Sequence, residues 1–593
     1  MEEPPDTYAF GPIQLDVAKL VLWREGEVVP LPPKAIALLA ALVRASGDVV
    51  TKDDLMARVW PDVTVEDSNL TVTLSGLRKT LGRRPDGRPY IETLARRGYR
   101  FCPPSAGTAA PSLGVLPFRS LDAGEDRDGL GVAMADAVIT RLAGTGRVVV
   151  RPTSAVLRYA LGEPDPRRAG RELGVENVLE GHYQRRRGRL RLTVQLVPTG
   201  NGSPSWSGRF EGRFADLFAM QDALADQLAT ALRLELEPPE RSALRAHPTQ
   251  DLEAYQAFAR GAHFWFRLTT PALDKAIVCF DEALRHDPAY SLAHVGKASA
   301  YLALAVTGGL APQEAWPLAE EAVRRALDPG PPLAVAHVAD AYLRVVARWD
   351  WAGADAAMDR ALAVDPRSVN GLQWKGILLA CRGRLEEADE SARRALAQDP
   401  VSVVAHGLRG LIRTLAGEDA LALEHYEKVV DLEPAHLIGH WGRGVSLVRL
   451  GRHEEGLDAL RRSCELSGAN PAMCSFLAWG LGVTGRAEEA RSLLSQIGSS
   501  AARYVSPYQR ASVHAVLGAT EQALESLAEA ASERDPWIVL LRVDPKLASL
   551  RPLPAFQELE RRVFASALPA PRALRFGKTS ETPQDPRGEG RLP

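Results

Sequence analysis

Residues 65–82 read VEDSNLTVTLSGLRKTLG, and the spacing of their leucines is the clearest structural signal near the start of the chain. Leu70, Leu74, Leu77 and Leu81 follow one another at steps of three and four residues. Because an α-helix completes a turn about every 3.6 residues, these leucines share one face. The pattern predicts a helix that buries its leucine face in a core and leaves its other side chains in solvent.

The segments on either side of this helix predict a small α+β domain. Apolar strands (YAFGPIQLDVAKLVLWREGEVVPL) come first, and a helical run (PPKAIALLAALVRASG) and a second helix (TKDDLMARVW) follow. A hairpin (RPYIETLARRGYRF) closes the segment at Phe101. Strands, three helices and a terminal hairpin are the layout of a winged helix, whose third helix enters the major groove of DNA.

The polar surface of the third helix carries most of the side chains that we predict to contact DNA. They are Asn69, Thr71, Thr73, Ser75, Arg78 and Lys79. Short polar groups hydrogen-bond to base edges, whereas Arg and Lys neutralise phosphates and arginine also reads guanine. In the hairpin, Arg96 and Arg97 are predicted to reach a neighbouring minor groove or the DNA backbone.

Local charge supports the same orientation. Residues 78–100 contain eight basic and two acidic side chains, a net charge of +6, whereas residues 8–77 contain six basic and nine acidic ones, a net charge of −3. The positive end thus coincides with the helix and hairpin that a winged helix places on DNA. Merely solvated surface arginines are the alternative explanation.

The same residues resemble the OmpR/PhoB-type transcriptional regulator domain, especially the form found in ToxR-like regulators. The matching motifs are Leu31-Pro32-Pro33-Lys34, Val59-Trp60-Pro61-Asp62, Val65-Glu66-Asp67-Ser68-Asn69-Leu70, Leu77-Arg78-Lys79-Thr80-Leu81-Gly82 and Ile91-Glu92-Thr93 through Arg97-Gly98-Tyr99-Arg100-Phe101. The resemblance implies binding to double-stranded DNA. Two-component members of the family often carry arginines where Ser75 and Gly76 stand here, so we expect modest affinity, aided by dimers or tandem sites. No receiver domain is visible, so a phosphorelay label would come from the family alone.

The last part of the chain repeats with a fixed period. Prolines that follow helical runs recur at Pro366, Pro400 and Pro434, so both intervals are 34 residues. This period resembles that of tetratricopeptide repeats. Small or aromatic residues also fall where two helices of a repeat touch: Gly376, Ala388, Ala395, Gly410, Ala422 and Tyr426. We expect roughly eight helix pairs ending near Phe564, whose stacking leaves a concave face for a protein or peptide. A spacer or oligomerisation scaffold is the alternative.

Between these parts, residues 112–236 predict a mixed α/β domain. Leu190, Leu192, Val194 and Leu196 alternate with polar residues, as in a strand with one buried face. The motifs Val115-Leu116-Pro117-Phe118, Glu172-Leu173-Gly174-Val175, Val178-Leu179-Glu180-Gly181 and Phe218-Ala219-Met220-Gln221-Asp222 resemble the TolB amino-terminal-like domain. A connector and a ligand sensor are both open as its role. Arginines around Gly188 either touch DNA or form a charged hairpin turn, which is the commoner arrangement.

Composition limits the classes of protein that fit. The chain has 593 residues, 46% hydrophobic and 25% charged, with 72 basic and 74 acidic side chains. These values exclude wholesale disorder and a collagen-like fibre. The five cysteines, Cys102, Cys279, Cys381, Cys464 and Cys474, are widely spread and form no CxxC, so we read neither a disulfide framework nor a zinc site.

Other signals are absent from the sequence. The acidic, proline-rich start (MEEPPDTYAF) does not resemble a secretory signal, and the longest uncharged stretch, residues 466–485, predicts a buried helix pair. No GxxxxGK[ST], HExxH or GxSxG motif occurs. We therefore predict no enzyme activity, no cofactor, no metal, no membrane partner and a cytoplasmic location.

Together these patterns predict three domains and a tail. Residues 1–104 form the winged helix, residues 112–238 the α/β domain, residues 250–564 the all-α superhelix and residues 571–593 a disordered tail. The leading hypothesis is a sequence-specific transcriptional regulator whose repeat array senses a protein or peptide, with a possible homodimer on DNA. The alternative is a non-catalytic scaffold in which the winged helix docks protein instead of DNA.

Overall fold

The computed structural model describes most of the chain. The described residues are 7–10, 13–16, 21–24, 27–45, 49–60, 67–82, 89–94, 98–101, 111–122, 129–160, 164–200, 202–328, 333–499 and 504–566. They form two compact units, Met1–Pro111 and Ser112–Pro593. The predicted tail at residues 571–593 lies outside the described residues.

The first unit consists of a four-stranded antiparallel sheet, three helices and a three-stranded sheet. Its strands are β1 (Thr7–Phe10), β2 (Ile13–Asp16), β3 (Val21–Arg24), β4 (Glu27–Val29), β5 (Val49–Val50), β6 (Ile91–Leu94) and β7 (Gly98–Phe101). Its helices are α1 (Pro33–Arg44), α2 (Lys52–Val59) and α3 (Asp67–Leu81). Strands β1 to β4 pair in order, and β7 pairs with both β5 and β6.

Local chemistry explains where these helices begin and end. Thr51 is the N-cap of α2: its hydroxyl oxygen accepts a hydrogen bond from the Asp54 amide at 3.2 Å. Lys34 Nζ donates to the Val59 carbonyl at 2.7 Å, which places a positive charge at the carboxyl end of α2. The lysine of the first family motif thus fastens α1 to α2, the helix that precedes α3.

The second unit begins with a mixed sheet. Its strands are β8 (Ser112–Val115), β9 (Arg119–Ser120), β10 (Val149–Val150), β11 (Asn177–Arg186), β12 (Arg189–Pro198) and β13 (Trp206–Arg213). Its helices are α4 (Leu130–Gly144), α5 (Thr153–Val156), α6 (Pro166–Leu173), α7 (Leu217–Ala231) and α8 (Pro238–Leu244). The main strand order is β10-β8-β11-β12-β13; β8 is parallel to β10 and β11, and β11 to β13 are antiparallel.

The predicted alternation in β12 is confirmed, because Leu190, Leu192, Val194 and Leu196 are all buried in the core of this domain. The stretch that joins the two predicted domains, residues 237–249, is not an extended linker. It contains α8, whose Leu244 is buried in the same core. The α/β domain and the repeats are therefore packed together within one compact unit.

Eight helix pairs follow within the described residues. Their helices are α9 (Leu252–Trp265), α10 (Thr270–His286), α11 (Ser291–Thr307), α12 (Pro312–Leu327), α13 (Ala334–Arg348), α14 (Trp351–Val364), α15 (Val369–Cys381), α16 (Leu385–Gln398), α17 (Val403–Ala416), α18 (Asp419–Leu432), α19 (Leu437–Arg449), α20 (His453–Leu466), α21 (Pro471–Val483), α22 (Ala487–Ser499), α23 (Pro507–Val516) and α24 (Thr520–Ser532). A last helix, α25 (Pro554–Val563), comes after two 3-10 turns. The predicted order of fold classes is confirmed.

The residues that revealed the repeat lie where its helices touch. A Cβ on Gly410 would stand 2.7 Å from the Tyr426 ring, and Ala388, Ala395 and Ala422 are fully buried. Successive first helices of the pairs, from α9 to α21, also pack against one another. Each pair thus completes its core only by stacking on its neighbours.

The inner face of this stack is covered by the chain itself. We name residues 535–551, the stretch between α24 and α25, the inner segment. Leu540 and Val543 pack on apolar residues of α15 and α17, and Trp537 Nε1 donates to the Val306 carbonyl of α11 at 3.2 Å. The concave face that the sequence predicts as open is therefore occupied along these helices.

Two tryptophans, one in α12 and one in α14, also join parts of the chain that are far apart in sequence. Trp316 Nε1 donates to the Arg534 carbonyl at 3.1 Å, and Trp351 Nε1 donates to the Val563 carbonyl at 2.9 Å. Both bonds join residues more than 200 positions apart in the chain. Both tryptophans are buried, so they act as packing residues.

One sequence expectation about cysteine is wrong. Cys464 at the end of α20 and Cys474 in α21 are joined by a disulfide, with their Cα atoms 4.9 Å apart. Cys279 and Cys381 are buried free thiols. In the described part of the chain, every helix is too short or too polar to cross a bilayer, and the uncharged stretch around α21 is buried.

Candidate nucleic-acid interface

Helix α3 is anchored by the leucines that predicted it. Leu70, Leu74, Leu77 and Leu81 are each at most 2% exposed and belong to the core of the first unit. Because each residue advances the helix by about 100°, the opposite face is fixed once the leucines are buried. That face points into solvent within the first unit.

The outward face of α3 is formed by Val72, Ser75, Gly76 and Lys79. Val72, Ser75 and Lys79 follow one another at steps of three and four residues, opposite the leucines, and all are exposed. A Cβ added to Gly76 would meet nothing within 4 Å, so this part of the surface is open. The geometry offers an apolar group, a hydroxyl and a cation along one line of the helix.

The other predicted contacts of α3 lie nearer its edges. Asn69 is exposed next to the outward face, and Thr71 is exposed on one flank. Thr73 lies on the opposite flank, where its hydroxyl donates to the Asn69 carbonyl at 2.8 Å. That bond holds the Thr73 hydroxyl against its own helix, so its methyl group is the part turned away from the backbone.

Arg78 is used inside the domain. Its Nε donates to the Ile91 carbonyl at 3.0 Å, and its Nη2 donates to the Thr93 hydroxyl at 2.7 Å. Both acceptors belong to β6, the first strand of the hairpin. Arg78 therefore fixes the hairpin against α3, and its remaining donors lie at the junction of the two elements.

The hairpin strands are held by a specific register. Glu92 lies opposite Arg100, and Arg100 Nη2 meets the Glu92 carboxylate at 2.7 Å. Gly98 has φ +128°, and a Cβ there would stand 2.1 Å from the Val50 carbonyl oxygen of β5, so only glycine fits. Arg96 and Arg97, predicted for the hairpin, lie outside the described residues.

Sequence reasoning missed Val72. It is 70% exposed, yet its residue type suggests a core position. The spacing of the leucines places residue 72 on the side of the helix opposite the core. The sequence could therefore have predicted that Val72 is exposed. An exposed apolar side chain on such a helix suits the methyl group of thymine.

Comparisons with known proteins agree with this geometry. Residues 26–101 match the model of the family described as "Transcriptional regulatory protein, C terminal". The first unit is an OmpR/PhoB-type winged helix. A tetratricopeptide repeat model matches residues 416–471, which include all of α18, α19 and α20.

The matches to curated relatives cover only a small part of those proteins. The transcriptional regulator HilA of Salmonella typhimurium is 37% identical over 108 residues, which are 17% of this chain and 19% of HilA. A Rhizobium meliloti protein, provisionally named adenylate cyclase 3, is 26% identical over 192 residues, which are 32% of this chain and 33% of that protein. The chain thus spans a fifth to a third of these curated relatives.

Among solved structures, the DNA-binding domain of Escherichia coli CadC is similar to the winged helix. It is 30% identical, with a TM-score of 0.16, and the match covers 17% of this chain and 96% of that domain.

Across the described residues, no group of three or more His, Cys, Asp or Glu side chains is placed to hold a metal ion.

Proposed function

We propose that this protein is a sequence-specific DNA-binding transcriptional regulator whose helix α3 reads promoter DNA. The observation that carries the proposal is the outward face of α3, where Val72, Ser75 and Lys79 are exposed while the leucines opposite are buried. A winged helix that displays such a face presents it to the major groove. The family match and the excess of positive charge at residues 78–100 support the same assignment.

The proposed contacts divide by chemistry. Lys79 neutralises a phosphate, Ser75 and Asn69 hydrogen-bond to base edges or backbone, and Val72 packs on a thymine methyl group. Thr71 and Thr73 lie on the two flanks and contact the groove walls. Arg78 acts chiefly by holding the hairpin in place, because β6 takes two of its donors. Arg96 and Arg97 remain proposed hairpin contacts.

Replacing Lys79 by Ala in the intact chain tests this proposal. We expect weaker binding to a selected promoter fragment, and the slope of log affinity against log salt should fall in magnitude by about 0.9, as one phosphate contact is lost. The measurement is a fluorescence-anisotropy titration over a range of salt concentrations.

Arg44→Ala is the matched control for Lys79→Ala. Arg44 is an exposed cation in the last turn of α1, and its loss changes net charge by the same amount. Indistinguishable salt slopes for the two variants would contradict the proposal. A winged helix that captures a protein from solution while protecting no genomic fragment would instead favour a docking module.

The repeat array is proposed to bind a protein or peptide partner that sets the activity or the oligomeric state of the regulator. We also propose that two copies of this chain bind adjacent half-sites on DNA. Because the inner segment covers the first helices of several pairs, a peptide would have to replace that segment or bind to the outer helices. We also propose that the α/β domain is TolB amino-terminal-like, that the chain is not an enzyme, and that it acts in the cytoplasm.

A further inference from the structure

The α/β domain has an open sheet face with a dense group of arginines. Along β12, Leu190, Leu192, Val194 and Leu196 face the core, so the residues between them face the other way. On that side, the hairpin end of β11, β12 and β13 carries what we name the arginine face. Its members are Arg186, Arg187, Arg189, Arg191, Arg209 and Arg213.

Three of these arginines lie directly side by side across the sheet. Strand register places Arg186 opposite Arg189, and Arg189 opposite Arg213. Their side chains are 79%, 63% and 75% exposed. Since neighbouring strands are about 4.8 Å apart, the row is roughly 10 Å wide. Like charges directly opposite one another destabilise a sheet, so this row opposes folding.

The hairpin turn adds a second cost at the same end. Arg187 and Gly188 have φ +49° and +74°, the positive values that a two-residue hairpin turn requires. Asn or Gly suits the first of these positions, whereas a long side chain with a Cβ is disfavoured in this left-handed region. Folding alone would not select arginine there.

Nearby carboxylates do not neutralise the arginine face. Glu211 lies 3.3 Å from Arg191, 3.4 Å from Arg209 and 3.8 Å from Arg189, so one carboxylate serves three arginines. Asp122 and Asp216 are the other two acidic partners. Six arginines against three carboxylates leave a net charge of +3 on this surface.

Protection of the sheet edge explains only part of the pattern. β13 is an edge strand, and charged residues on an edge discourage pairing with another chain. That accounts for Arg209 and Arg213. It does not account for Arg189 on β12, which is paired with β11 on one side and β13 on the other, or for Arg187 in the turn.

We propose that the arginine face is a second DNA-contacting surface, which binds the phosphate backbone of the DNA that α3 reads. The inference rests on the proposed function, because it takes the same duplex as its ligand. A polyanion relieves the repulsion in the arginine row, and DNA carries about one negative charge per 1.7 Å of helix axis. The contact adds affinity without sequence preference, which compensates for the absence of arginine at Ser75 and Gly76.

The test replaces Arg186, Arg189 and Arg213 together by Gln in the intact chain. We expect the magnitude of the salt slope to fall by about 2.7, since three phosphate contacts are lost. Between 50 and 200 mM salt, this corresponds to a roughly 40-fold smaller change in affinity. The base preference of the bound fragments should stay the same, because backbone contacts do not read sequence.

A matched variant controls for net charge. Arg324→Gln, Arg325→Gln and Arg461→Gln together remove three exposed arginines from α12 and α20, and this variant should retain the wild-type slope. Urea unfolding should show that the Arg186, Arg189 and Arg213 variant is at least as stable as wild type, because it relieves repulsion.

The outcomes separate this inference from the proposed function. Equal salt slopes for the two triple variants would overturn the inference, while weaker binding and a smaller salt slope in Lys79→Ala would still support the role of α3. Polyglutamate serves as a probe for an acidic protein. If the Arg186, Arg189 and Arg213 variant lost binding to polyglutamate but kept the wild-type salt slope for DNA, the arginine face would be assigned to an acidic protein. That result would also overturn the inference. A wild-type chain that binds no duplex would contradict both proposals.

Discussion

At the scale of single residues, residue type and residue position give different information. The buried leucines of α3 follow from sequence, because their period is local and any core will accept them. Val72 was missed because valine usually indicates a core position. Its position in the helix, opposite the buried leucines, leaves its side chain 70% exposed. The role of Arg78 could not be predicted, because its acceptors in β6 lie 13 and 15 positions away in the chain.

Gly76 gives a prediction at this scale. A glycine inside a helix costs about 1 kcal/mol relative to alanine, and an added Cβ at Gly76 would meet nothing within 4 Å. Gly76→Ala should therefore stabilise the first unit by about 1 kcal/mol, measured by urea denaturation of residues 1–111. Gly98→Ala is the control of opposite sign, because its Cβ would collide with the Val50 carbonyl. A Gly76→Ala variant that is less stable than wild type would show that the outward face is covered.

At the scale of elements, the inner segment is the largest departure from expectation. A repeat pattern encodes contacts between neighbouring pairs, so the helices were predictable, whereas a contact between α11 and a segment more than 200 residues later was not. Asp535 begins this segment. Its carboxylate accepts hydrogen bonds from the Ser506 hydroxyl at 2.6 Å and the Trp537 amide at 2.9 Å.

Asp535 makes the stability of this closure depend on pH. Burial raises the pKa of its carboxyl to about 6, an effect larger than the opposing hydrogen bonds, while an unfolded aspartate has a pKa of about 3.9. The folded state therefore holds the proton more tightly, so the contribution of this carboxyl to stability is fully present below pH 4 and is lost as the pH rises through 6. This contribution is about 3 kcal/mol.

The variant Asp535→Asn removes that titration. Between pH 4 and pH 7, its free energy of unfolding should rise relative to that of wild type by up to about 3 kcal/mol, as followed by denaturant unfolding at each pH. Asp458 is 74% exposed on α20 and serves as the control. The free energy of unfolding of Asp458→Asn should depend on pH as that of wild type does. Parallel pH profiles for Asp535→Asn and wild type would show that the carboxyl is not buried as described.

At the scale of the whole molecule, the net charge of −2 is a sum over parts with different roles. Residues 78–100 carry a net charge of +6. The arginine face is a second positively charged feature, and it lies in the other unit. Sequence alone located the arginines around Gly188 but could not distinguish a charged turn from a surface. The register that brings Arg186, Arg189 and Arg213 into one row supplies that distinction.

The most direct test of the account is the selection of genomic DNA fragments by the intact chain and by its Val72→Ala variant. We predict that wild type enriches fragments sharing one short sequence, and that Val72→Ala keeps this site but loses several-fold preference for thymine at one position. The exposure of Val72 means that the change leaves the core intact. A wild-type chain that enriches no shared sequence, or a variant with an identical site, would contradict the claim that α3 reads DNA.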